Sequence, residues 1–168
     1  MNVSDFSQLF AYMAASRRQF LTKFRELGWD EVTENREATH HSMRNILIHM
    51  LDVEDSYLQE VVLGNDMTEL DPESFKSFDE TEVYNSEVTE RTREFFATLS
   101  PEDLERKVSV PWWKGKAKFR VEPILLHAFL DEMAHLGELI CLMWQIGVEP
   151  PFRSMVRSWT NTRPAPSE

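Results

Sequence analysis

Apolar residues recur at helical spacing in four long stretches of the chain. From about Val3 to Leu27, residues Phe6, Leu9, Phe10, Met13, Phe20, Leu21 and Phe24 share one face, and Gly28 stands where a helix would end. From about His40 to Val62, residues Met43, Ile46, Leu47, Met50, Val53, Tyr57 and Val61 repeat the pattern, closed by Gly64. The acidic, proline-containing run NDMTELDPESFKSFDETE predicts a surface connection. A third helix is predicted over roughly Glu80 to Leu99, with Val83, Val88, Phe95, Phe96 and Leu99 inward. Ser100 followed by Pro101 predicts a short further turn. Pro123 opens the fourth helix, about 124 to 147, which stops at Gly147 ahead of Pro150 and Pro151.

Between the third and fourth helices the period changes. VSV and KFRV alternate about the glycine of WKGK, which predicts a β-hairpin. Four amphipathic helices with one short hairpin insert predict an all-α four-helix bundle, with residues 1–155 as a single domain and 156–168 as a tail.

Composition narrows the possible functions. A chain of 168 residues with only five Gly, and with eleven Phe, five Trp and three Tyr, has the material for a large helical core. Acidic residues outnumber basic ones 29 to 18, a net charge of −11, which works against nucleic acid or an anionic membrane as partner. Cys141 is the one cysteine, so no intramolecular disulfide forms, and its place among apolar neighbours predicts a small buried side chain. The N-terminus lacks the basic-then-apolar pattern of a secretion signal, and no run approaches the ~18 apolar residues of a membrane span. These features predict a cytoplasmic protein. The exception to the acidic character is the hairpin, where Lys107, Lys114, Lys116, Lys118 and Arg120 surround Trp112, Trp113 and Phe119. The reading preferred for it is a ribbon with its aromatics packed inward and its lysines solvated. Stacking of nucleic-acid bases and reception of an anionic thiol cofactor are the alternatives.

The fourth helix carries the candidate chemistry. His127, Asp131, His135 and Glu138 fall in one polar stripe, and no Lys or Arg occurs from Val121 to Phe152. A solvated face ordinarily mixes charges of both signs. Two imidazoles with carboxylates suit a divalent transition metal, and residues four apart, such as Asp131 and His135, can reach one ion. His49, on the flank of the second helix, is a possible third ligand or a hydrogen-bonded core histidine. Its value rises because a partner pair exists elsewhere. A site of His49, Asp131 and His135 leaves positions for water and substrate. His127 suits a position behind a ligand or at the mouth of the site, and it or Glu138 could orient water or accept a proton. His40 and His41 are expected to be solvated or capping residues.

At these residues the chain resembles the DinB/YfiT-like family of small bacterial metal-binding bundles. HHSMRNILIHMLDVEDSYL is similar to the family's second-helix signature, DEMAHLGELICLMWQIG to its fourth-helix signature, and GVEPPF to the turn that follows. The resemblance spans about residues 3 to 155. Carried over by position, it implies metal ligation by His49, Asp131 and His135, with Asp131 where histidine is usual. Leu136-Gly137-Glu138 replaces the common Arg-Gly-Gln. The resemblance implies a divalent ion (zinc, nickel, iron or manganese, the oxygen ligand favouring the last two) and thiol-dependent S-transfer or hydrolysis on a small molecule. Bacillithiol, mycothiol or glutathione would be the thiol. The alternative is a non-catalytic metal-binding, stress-related or dimeric binding protein with a degenerate site. Phe152 and Trp159 are the candidates for a homodimer contact.

Overall fold

Three of the four long helices, the last excepted, start at a side-chain cap. Asn2 accepts the Asp5 N–H at 2.9 Å while Asp5 accepts the Asn2 N–H at 3.1 Å, a reciprocal pair that starts α1, Val3–Leu27. Gly28 then takes φ 93°, a backbone region that β-carbons disfavour, and the chain turns into the short α2, Trp29–Thr33. Ser42 caps α3, Met43–Asp55, which runs on as a π-helical stretch, Ser56–Leu63, ending at Gly64 with φ 77°. Ser77 caps α4, Phe78–Thr98. The paired strands β1, Lys107–Val108, and β2, Phe119–Arg120, are antiparallel, with Lys107 opposite Arg120. Helix α5, Val121–Gln145, follows directly. This computed structural model describes residues 1–68, 70–151 and 154–155. Phe152, Trp159 and the expected tail lie outside them.

The architecture is an all-α bundle in which α1 lies between α4 and α5, and α3 closes the ring by packing on both. Phe6, Phe10, Phe20 and Phe24 of α1 meet Met43, Ile46, Leu47 and Met50 of α3 and Leu125, Leu139 and Met143 of α5, all buried. Each such side chain contributes about 1.5–3 kcal/mol by leaving water. Among the described residues no helix is long and apolar enough to cross a membrane.

Four expectations fail. Helix α3 begins at Met43 rather than near His40, so His40 sits in a turn. Val83 is 59% exposed because α4 turns that position away from α1 and α3. Cys141 is exposed, on the same outer side of α5 as Leu130 and Trp144, which are also exposed. Trp112, Trp113 and Phe119 are not packed inward. With only two residues per strand the ribbon is too short to bury them, and they remain partly exposed.

Among the described residues one charged cluster is wholly buried. Arg17 of α1 is wholly buried, and its Nη1 donates to Glu54 Oε2 of α3 at 2.6 Å and to Glu132 Oε2 of α5. Its Nε reaches Asn85 Oδ1 of α4 at 3.3 Å, and Thr92 of α4 donates to Glu54 Oε1. Two carboxyls thus share one guanidinium. Burial, reinforced by Glu54, pushes the Glu132 carboxyl well above its ordinary range despite the attraction of Arg17. The cluster joins all four long helices, and its Glu132 follows Asp131 in sequence.

Candidate metal centre

Three elements converge on one point. The first is the turn between α2 and α3, folded back on itself. The Arg36 N–H donates to His41 O at 2.7 Å and the His41 N–H to Ala38 O at 2.9 Å, with Glu37 and His41 at positive φ of 54° and 69°. The Thr39 N–H and hydroxyl both donate to Glu138 Oε1 of α5 at 2.8 Å. That pair of bonds fastens the turn to α5 just beyond His135 and carries His40 inward.

The rings of His40 and His49 stack with centroids 3.9 Å apart, and His135 meets them edge-on at 5.0 and 4.8 Å. One nitrogen from each imidazole lies within 4.8 Å of the others. Asp131 joins them, its Oδ2 being 3.7 Å from Nε2 of His49 and 3.7 Å from Nε2 of His135. That oxygen is buried and has no hydrogen-bond partner. The structure brings His49 of α3 beside Asp131 and His135, the pair that four-residue spacing places together on α5, and adds His40. The signal for His40 was slight: adjacent histidines just before the cap of the helix that holds His49.

The protonation of the cluster suits metal ligation. Burial, then the neighbouring rings of His40 and His135, pushes His49 down to about 4. Burial and His135 lower His40 as well. Neutral imidazoles offer lone pairs rather than protons. The imidazoles of His40, His49 and His135 around a carboxylate oxygen without a donor form a set that a divalent ion satisfies. His135 presents Nε2 to the centre because Nδ1 donates to Glu138 Oε2 at 3.1 Å, the arrangement that fixes a ligand imidazole's tautomer and orientation. Burial opposes the Glu138 charge, but the two Thr39 bonds and His135 outweigh it and hold the carboxyl below its usual range.

His127 stands apart from the cluster. It is exposed, with its ring centroid 5.3 Å from Tyr57 and 5.9 Å from Trp113 of the hairpin. It shares with His49 and Asp131 the wall of a cavity of about 510 Å³, which Trp112 also lines. The volume fits a small-molecule ligand.

Comparison with known proteins agrees with this architecture. The DinB family model matches residues 1–163. The uncharacterized protein YizA of Bacillus subtilis is 24% identical over 149 residues, covering 89% of this chain and 92% of that protein. The crystal structure of a DinB-like protein, YjoA, from Bacillus subtilis superposes with a TM-score of 0.61 at 19% identity, covering 86% of this chain and 96% of that one. This last likeness is one of fold.

Proposed function

We propose that this chain, which belongs to the DinB family, holds one divalent transition-metal ion and uses it in chemistry on a small molecule in the adjoining cavity. His40, His49 and His135 are the nitrogen donors and Asp131 the oxygen donor. The observation that carries this reading is the unpartnered Asp131 Oδ2, 3.7 Å from two imidazole nitrogens, on the wall of an open cavity. Zinc, nickel, iron and manganese all accept such a set, and the carboxylate tilts preference toward the harder ions. A bound ion supplies Lewis acidity, lowering the pKa of a thiol or water that joins it.

The reaction classes that fit are thiol-dependent S-transfer and hydrolysis. The chain's own groups divide the remaining work. Glu138 is occupied by Thr39 and His135, so its part is to position the ligand imidazole. His127, on the cavity wall beside Tyr57, is placed to exchange a proton with a bound substrate. Elemental analysis of protein purified without tag or chelator tests the reading. About one transition metal per chain is expected, with thermal stabilisation on adding metal to stripped protein. Absence of metal, together with no stabilisation by zinc, nickel, iron or manganese, would overturn it and leave a non-catalytic role.

A further inference from the structure

Helix α5 has an outer side without charge. Leu126, Leu130, Ala134, Gly137, Cys141 and Trp144 follow one another along it over about five turns, and all but the half-buried Gly137 are exposed. Leu130 and Trp144 are 55% and 58% exposed. The helix's four carboxylates are all engaged elsewhere. Glu122 pairs with the N-terminal ammonium and Arg120, and Asp131 lies beside His49 and His135. Glu132 is bound by Arg17 and Glu138 by Thr39. In a chain of which 28% of residues are charged, so long an exposed apolar strip marks a surface that a partner covers.

We propose that a second copy of this chain covers the strip, the two α5 helices packing antiparallel about a two-fold axis at Gly137. The order of side chains along the strip favours a copy of itself. Leu130 and Trp144 each stand seven residues from Gly137, so the two-fold sets Leu130 of either copy against Trp144 of the other. Between them Ala134, Gly137 and Cys141 are small, which lets the helix axes approach closely. The strip with its borders exposes roughly 600 Å², and two of them reach the ~1,200 Å² at which specific interfaces begin, so the dimer is weak, with a micromolar Kd. Each copy carries a net charge of −11, and this uncharged side is where two copies meet with least repulsion. The contact lies on the outside of α5, away from His49, Asp131 and His135, and is independent of the metal reading.

Sedimentation equilibrium of the full chain from about 1 to 200 µM, at low and high salt, tests this. A reversible dimer is expected, tighter at high salt because screening relieves the repulsion between two acidic copies. Leu130→Glu and Trp144→Glu, both at exposed positions, should each weaken it about tenfold or more with helicity unchanged. The register has a readout of its own. A β-carbon at Gly137 meets nothing within 4 Å in the single chain, so Gly137→Cys in a Cys141→Ser background is tolerated and sets two thiols at the two-fold axis. Mild oxidation should link them into a covalent dimer. In the parent the two Cys141 thiols stand about 12 Å apart along the helices, beyond disulfide reach, and should stay unlinked. A monomer at every concentration, a dimer weakened by high salt, or a dimer that both Leu130→Glu and Trp144→Glu leave intact would overturn the inference. So would failure of Gly137→Cys to link, or ready linkage of the parent through Cys141.

Discussion

Replacing Arg17 with alanine tests how the core holds the centre in place. Arg17 is fully buried and is the one cation joining Glu54 on α3 to Glu132 on α5, the helices that carry His49 and His135. Its removal leaves two carboxyls facing each other without water and strips Asn85 of its partner. Breaking a buried ion pair from one side costs about 3–5 kcal/mol. A chain of this size loses roughly 2–4 °C in Tm per kcal/mol, so the melt should fall by about 6–20 °C. Urea unfolding at pH 7, with the slope checked against the parent, measures the loss. A loss below about 1 kcal/mol would refute the reasoning. Glu132→Gln supplies the sign. The folded Glu132 carboxyl has its pKa raised above the ordinary 4.5, so folding takes up a proton above that pH. Parent stability then declines as pH rises from about 4.5 toward the folded value, by at most about 1.4 kcal/mol per pH unit. Glutamine removes this dependence, so the variant should gain on the parent as pH increases. A difference between them that stays flat with pH would mean that Glu132 is charged.

Two further outcomes follow from the metal centre. His49 is depressed to about 4 from 6.5, so the unfolded chain binds more protons in that interval and the metal-free protein should lose stability as pH falls through it. Thermal melts from pH 7 to 4 check this, and His49→Gln should flatten the dependence; an unchanged slope would contradict it. Glu138→Ala releases both Thr39 and His135, and metal affinity should weaken by about 10–100-fold in chelator competition while helicity is retained. Parental affinity would remove Glu138 from the centre's support.

The long helices were legible because their apolar stripes repeat over many turns and their ends carry caps or glycine. Helix α1 runs over Val3–Leu27, the range its pattern predicts. Asp131 and His135 were legible for the same reason, since four-residue spacing on a helix is a distance in space. His40 was not. Its position depends on a reversed turn with two positive-φ residues and on Thr39 bonding to α5, contacts between segments about a hundred residues apart. The Arg17 cluster escaped for a related reason, because Glu54 and Glu132 look in isolation like solvated helix positions, and only the packing of α1 against both helices buries them. Cys141 shows the converse: apolar neighbours in sequence placed it inside, yet α5 turns one apolar flank outward.

The central claim is that a turn, α3 and α5 each deliver one imidazole to a single ion. The most direct measurement is zinc affinity by chelator competition for the parent, His40→Ala and His127→Ala, with circular dichroism to confirm that each is folded. The account predicts a loss of about 100-fold or more for His40→Ala and parental affinity for His127→Ala. Parental affinity in His40→Ala would contradict it.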